Sequence, residues 1–280
     1  MRILVAGGSG VLARSVVPLL LAAGHDLTLT SRSAEKARLL EGPGVDAAVL
    51  DALDRDGTMA TVASAEPDVV LHLMTDLGTG NSASNARLRS TGTRNLVDAA
   101  RAAGVDRIVA QSISWVYPPG TEPATEADPL DPDAAEPRRT TVTAVRALED
   151  AVQEVGAGVV LRFGQLYGPG TWYSAEGRFG EAARAGLLPA TETVTSFVHV
   201  DDAAAAVVAA LGWTAGVRNV VDDEPASGTA WVPAFSAAVA GPTPRVEQTG
   251  DLGRPVSNQL ARESGFTPRW SSWRTGFARP

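Results

Sequence analysis

Along the first 165 residues, short apolar runs alternate with longer segments of helical periodicity. Arg2–Ala6 is an apolar run closed by Gly7-Gly8, and it reads as a buried strand. Val11–Ala23 follows as a helix that stops at Gly24, a favourable C-terminal residue. Asp26–Thr30 is the next strand, and a helix opening at Ser33 ends near Gly42-Pro43-Gly44. Val45–Leu50, Asp68–Leu73, Arg107–Ile113 and Gly158–Phe163 continue the strands, with helices over Asp54–Ser64, Asn85–Ala103 and Thr140–Val155. Units of this kind predict the α/β class: a doubly wound parallel sheet whose right-handed crossovers place helices on both faces.

After Tyr167 the alternation loosens. A helix over Asp201–Leu211 and a short strand Asn219–Val221 rejoin the pattern, while the chain from Pro225 is rich in Pro, Gly, Ser and Trp. The expected organisation is a nucleotide-binding domain from residues 1–165 and 195–222, and a smaller substrate lobe from 166–194 and 223–280.

The strongest chemical signal sits in the first strand–helix turn, Gly7-Gly8-Ser9-Gly10-Val11-Leu12-Ala13. Glycine permits a tight turn and lets a diphosphate approach the backbone, and amides at a helix N-terminus attract its charge. Gly7, Ser9, Gly10, Val11 and Leu12 are therefore candidate dinucleotide ligands. A site for NAD carries an acid about 20 residues after the glycines to hold the ribose hydroxyls. Here the second strand ends in Ser31-Arg32-Ser33, with Lys36 one turn on. A guanidinium suits a 2′-phosphate that a carboxylate would repel, so NADP(H) is the expected cofactor. Asp51-Ala52 after the third strand is placed to meet the adenine, although a turn or helix-cap role explains Asp51 equally well. Leu73, Met74 and Thr75 end the fourth strand at the edge where ligands bind such sheets.

Composition removes other classes. The 24 Lys and Arg against 32 Asp and Glu give a net charge of −8, so no electrostatic case exists for nucleic acid or an anionic membrane. There is no cysteine, which excludes disulfides, thiolate nucleophiles and Cys-ligated metals. His25, His72 and His199 show no metal-ligand spacing, and no metal is expected. The longest apolar run, Ala203–Leu211, is far shorter than the ~18–20 residues of a membrane helix, and a cytoplasmic location is expected.

With these landmarks the chain resembles an extended short-chain dehydrogenase/reductase of the NAD-dependent epimerase/dehydratase type. The likeness rests on the Gly7–Ala13 turn, Thr91-Gly92-Thr93-Arg94-Asn95-Leu96, Arg107–Tyr117, Leu161-Arg162-Phe163-Gly164 with Tyr167-Gly168-Pro169-Gly170, Phe197-Val198-His199-Val200-Asp201-Asp202 and Phe266-Thr267-Pro268. It implies a Rossmann domain with a C-terminal substrate lobe and the active site between them. A homodimer through the Asn85–Ala103 and Thr140–Val155 helices would match the family arrangement. The family also uses a Tyr-x-x-x-Lys pair on the helix before Gly158–Phe163, and a Ser or Thr just after the fifth strand. Aligned on Glu149-Asp150-Ala151-Val152, the tyrosine position holds Thr141 and the lysine position Val145. The Ser/Thr position falls on Ile113, and the Asn of the Asn-x-x-Gly-Thr pattern falls on Arg89. The chain reads as an atypical member without the usual proton-transfer pair.

Substitutes can be named. Tyr117 follows the fifth strand as a candidate proton donor, and packing is its rival role. Ser112 and Ser114 flank Ile113 and can bond a substrate carbonyl or the nicotinamide. Arg146 neighbours the missing lysine and would stabilise an anion if its helix turns it toward the cofactor. Gln165, Tyr167, Trp172 and Tyr173 lie where the family binds substrate, and suit a flat or apolar small molecule. His199 reads as structural, and Asp201 or Asp202 as a helix cap. The favoured function is an NADP(H)-dependent oxidoreductase acting on a small carbonyl, imine or enone compound. Its competitors are a non-catalytic NADP(H) sensor and an isomerase or dehydratase that uses bound cofactor transiently.

Overall fold

The computed structural model describes residues 1–77 and 82–278. Its centre is a seven-stranded sheet in the order β10-β6-β5-β4-β1-β2-β3. The strands are β1 (Arg2–Ala6), β2 (Asp26–Ser31), β3 (Val45–Val49), β4 (Val69–His72), β5 (Arg107–Ile113), β6 (Ala157–Phe163) and β10 (Gly216–Val220). The pairs β1–β2, β1–β4, β2–β3 and β4–β5 are all parallel. Helices α1 (Val11–Ala22), α2 (Ala34–Arg38), α3 (Arg55–Ala65), α4 (Ser82–Arg87), α5 (Thr93–Ala102) and α6 (Arg138–Gln153) connect them. This is the doubly wound α/β fold expected from the alternation. Strand order reverses between β1 and β4, and such folds bind ligands at that reversal.

One expected helix is built differently. Asn85–Ala103 is not one continuous α-helix: a π-helical turn, Leu88–Gly92, separates α4 from α5. The Ser90 hydroxyl donates to the carbonyls of Ala86 and Arg87. Back-bonding of this kind bends a helix, and π-turns concentrate at functional sites.

Two compact units divide the chain. The first comprises Met1–Ser112, Asp133–Leu161 and Val207–Val217, and the second Ile113–Pro132, Arg162–Ala206 and Arg218–Pro280. The proline- and acid-rich stretch Ile113–Pro132 thus groups with the second unit, not with the nucleotide-binding half of the sequence reading.

In the first unit, Leu4, Ala6, Val70, Ile108, Ala110 and Val160 of the strands pack with Leu96, Val97, Leu148 and Val152 of α5 and α6. Each large aliphatic side chain buried there contributes about 1.5–3 kcal/mol. The second unit contains β7 (Gln165–Tyr167), α7 (Arg178–Arg184), β8 (Val194–Thr195), β9 (Phe197–His199), most of α8 (Val200–Ala209), β11 (Ala226–Ser227), α9 (Gly228–Ala238), α10 (Gln259–Glu263) and α11 (Trp273–Phe277). Its core is aromatic: Tyr167, Tyr173, Phe197, Trp231, Phe235, Trp273 and Phe277. Asp202 is not a helix cap. Its two carboxylate oxygens accept the backbone N–H groups of Arg269 and Trp270, which ties the C-terminal segment to α8.

Asp222 is buried in this unit. One carboxylate oxygen accepts the Glu224 N–H, and the other has no partner. Burial pushes its carboxyl up to about 8. A raised carboxyl favours the protonated folded form, so its stabilisation is complete below the unfolded value near 4 and is lost as pH rises toward 8. Chemical denaturation between pH 5 and 8 is expected to show stability falling with pH, and Asp222→Asn to flatten that slope. An unchanged slope in the variant would reject this reading.

Candidate nucleotide-binding and active site

The first turn is shaped by close backbone approach. Gly7 has φ +93°, and a Cβ placed there would stand 3.0 Å from the Leu73 carbonyl and Met74 Cα. Any side chain would drive β1 and β4 apart and strain the backbone. The Gly8 N–H donates to the Thr30 carbonyl at 2.9 Å, and the Gly7 N–H to the Thr30 hydroxyl at 3.3 Å. Gly10 caps α1, whose first turn carries no acidic residue to repel an anion. The amides and positive end of a twelve-residue helix therefore face the reversal in strand order.

The ends of β2, β3 and β4 converge on this turn. Ser31 is buried and Arg32 is 62% exposed at its side chain. The Ser33 hydroxyl caps α2 by accepting the Lys36 N–H. Arg32 donates to Asp76, just past β4, at 3.3 Å. Asp76 also accepts from the Ser84 hydroxyl, and its N–H donates to the Asn85 amide oxygen at 2.9 Å. The Ser84 contact and then Arg32 hold the Asp76 carboxyl below the usual carboxylate range. Asp51 accepts the Leu53 N–H in a local turn, and Ala52 is buried against Leu88. The Ala52 carbonyl accepts the Asn95 side-chain amide at 2.8 Å. Met74 packs on the same small cluster, while Met74 and Thr75 are half-buried and Leu73 is buried. Gly7, Gly10, Arg32, Ala52 and Met74 thus belong to one crevice of the first unit. The Asp76–Ser84–Asn85 support of Arg32 escaped the sequence reading, because nothing in local spacing couples the end of β2 to the chain after β4.

The candidate proton donors are placed less favourably. Ser112 is buried and donates to the buried Glu149 carboxylate at 2.7 Å, which spends its hydroxyl proton. Ser114 is buried as well. Tyr117 is 3% exposed; its hydroxyl donates to Asn219 at 2.8 Å and accepts from Arg162 at 2.6 Å. Burial holds this phenol above its ordinary range. The proton-donor role expected of Tyr117 does not fit a hydroxyl enclosed by two partners. Arg146 stands on the exposed face of α6 and Val145 on its buried face, so the arginine does not occupy the orientation of the residue it neighbours. Among the described residues, no three His, Asp or Glu gather as metal ligands.

In the second unit, Tyr167 and Tyr173 are core residues, whereas Gln165 is half-buried and Trp172 is 37% exposed. Tyr173 stacks on Phe179 at 4.4 Å, and Arg178 lies over Trp172. Tyr167 and Tyr173 line a cavity of about 330 Å³ with Phe235 and Phe277. His199 is buried, stacks on Trp270 at 4.7 Å and accepts the Asp201 N–H. Burial lowers its basicity, in keeping with a structural role.

The sequence profile of the NAD dependent epimerase/dehydratase family matches residues 3–221. The chain is 40% identical over 308 aligned positions, covering all of both proteins, to a Streptomyces 3-diazoavenalumate denitrifying reductase. It is 32% identical over 223 positions to the 2'-dehydrokanamycin reductase of Streptomyces kanamyceticus, covering 75% of this chain and 58% of that protein. The UDP-glucose 4-epimerase of Thermus thermophilus, solved with NAD, superposes with a TM-score of 0.79 at 25% identity, over 99% of this chain and 97% of that one. The Bordetella bronchiseptica enzyme WbmG, with NAD and UDP, superposes at 0.83 and 22% identity over 100% and 93%, a likeness of fold.

Tyr117→Phe is expected to keep kcat/KM within about threefold and to lower stability by about 1–2 kcal/mol. Steady-state kinetics and urea denaturation check this; a loss of activity beyond about a hundredfold in a stable variant would restore the phenol to the chemistry.

Proposed function

Since the chain belongs to the NAD dependent epimerase/dehydratase family, we propose that it is an NADP(H)-dependent reductase whose substrate is an electron-poor aromatic diazo compound. The observation that carries this reading is the composition of α6, Arg-Arg-Thr-Thr-Val-Thr-Ala-Val-Arg-Ala-Leu-Glu-Asp-Ala-Val-Gln, which contains neither tyrosine nor lysine. Carbonyl reduction leaves an alkoxide that needs a proton at once. Replacement of a diazonium group does not.

When bound, a dihydronicotinamide would supply the hydride for a C–H bond at the ring carbon, with dinitrogen leaving with the C–N electron pair. No oxygen gains charge, so a helix without a proton donor serves this chemistry. The full-length relative named as a denitrifying reductase of a diazo compound supports the same class. The second relative's name, a dehydrokanamycin reductase, supports reduction in general.

The residues present fit a dinucleotide. The first amides of α1, with Ser9, Val11 and Leu12, would hold the diphosphate, and Gly7 and Gly10 would let it approach the backbone. Asp51, Ala52 and the Leu73–Thr75 segment would border the rest. The preference for NADP(H) rests on Ser31, Arg32 and Ser33, an end of β2 with no acid. Asp76 holds the Arg32 guanidinium over that end without removing its outward hydrogen-bonding capacity. Gln165 and Trp172 are the accessible members of the aromatic group for a planar substrate.

Arg32→Ala is expected to weaken NADPH binding by about 10–100-fold, the worth of a charge-assisted bidentate contact, and to leave NADH affinity unchanged. Fluorescence titration with both coenzymes reads this, and equal loss for both would refute the preference. For the reaction, an aryl diazo substrate and NADPH deuterated at the transferred position should yield product with deuterium at the former C–N carbon, and dinitrogen. Label acquired from deuterated buffer instead would sink the direct-hydride reading.

A further inference from the structure

Among the described residues, the first unit contains a buried cation without a counter-charge. Arg89 lies in the Leu88–Gly92 π-turn and is 6% exposed. The described residues contain three buried arginines. Arg162 donates to Tyr117 and Arg218 to Ser264. Among the described residues, the Arg89 side chain has no hydrogen-bond acceptor and no carboxylate partner. Burying an unpaired charge is costly, and a chain under selection for stability alone replaces it with an apolar residue of similar volume.

His72, a titratable group that senses it, does not neutralise it. His72 ends β4, in register with Ala6 of β1 at the reversal in strand order. The ring accepts the Met74 N–H through Nδ1, so Nε2 carries the proton toward the Thr93 hydroxyl at 2.7 Å. Burial first, and then Arg89, push the imidazole down to about 4, so it stays neutral. Burial also lowers the guanidinium to about 10, still charged at neutral pH. The π-turn packs against α6, the helix without tyrosine or lysine. The π-turn thus brings a positive charge close to His72 at the end of β4 and against α6, while its Leu88 packs on Ala52 and Met74 of the crevice.

We propose that Arg89 is the anion-binding residue of this crevice, and that its guanidinium receives an oxyanion of a bound ligand. A cofactor diphosphate already has the N-terminal amides of α1, so the oxyanion assigned to Arg89 is a carboxylate or phenolate of the substrate. That assignment rests on the reductase reading above. The binding of an oxyanion does not.

The test uses the intact protein saturated with NADPH, with benzoate and uncharged benzamide as probes and Arg89→Met and Arg89→Lys as variants. Wild type is expected to bind benzoate at least ~10-fold more tightly than benzamide, Arg89→Met to lose that preference, and Arg89→Lys to recover part of it. Arg89→Met should also raise the melting temperature of the ligand-free protein, whereas removal of a structural arginine lowers it. No carboxylate preference in wild type, or one preserved in Arg89→Met, would overturn the proposal. Weaker NADPH binding in Arg89→Met with benzoate preference intact would move the oxyanion to the cofactor and overturn the substrate assignment. These readouts are binding and melting, so they stand even if no diazo compound is reduced.

Discussion

At Gly7 the chain leaves β1 with φ +93° and so close to the backbone just after β4 that a Cβ would meet it at 3.0 Å. That contact sets the spacing of the strands at the reversal in sheet order and the direction of α1. The Gly7, Gly8 and Gly10 amides are spent on bonds within the turn, which leaves the first amides of α1 at the carboxyl edge of the sheet. The Gly8–Thr30 hydrogen bond locks the end of β2 to the same turn, and the Met74 side chain bridges toward Ala52. The crevice is a consequence of four strand ends held together by backbone, before any polar side chain takes part.

Around that frame the polar groups divide into two kinds. Most hydroxyls and carboxylates that a sequence reader would nominate for chemistry are spent internally. Ser112 serves Glu149, Tyr117 joins Asn219 and Arg162, and Asp202 anchors the C-terminal segment. Satisfied buried groups of this type specify one packing arrangement and are poor acids or bases, because moving a proton would break a network held in low dielectric. In the first unit, Arg32 at the rim and Arg89 inside keep hydrogen-bonding capacity to spare. Positive charge of this kind is what the proposed hydride transfer to an electrophile with an anionic group draws on.

The family likeness and the departures from it follow the same physical division. Turn glycines, strand apolarity and helix packing are retained, since each is demanded by backbone geometry. α6 contains neither tyrosine nor lysine, and the π-turn carries Arg89. Thr141, Val145 and Arg89 lie within a regular helix and turn, so the backbone there does not depend on their chemistry.

Much was legible in the amino-acid order alone. Period-two and period-3.6 patterns determine strands and helices locally, so the parallel sheet and the turn at Gly7–Gly10 could be read directly, as could the absence of tyrosine and lysine from 118–166. Three things were decided only by the tertiary structure. The Arg32–Asp76 pair joins residues 44 positions apart. The enclosure of Tyr117 depends on Asn219, 102 positions away. The isolation of Arg89 is a statement about everything around it, and no local pattern encodes the lack of a partner. Sequence spacing determines what a segment can form, whereas burial and pairing are properties of the assembled core, and those properties decide which polar groups remain free to act.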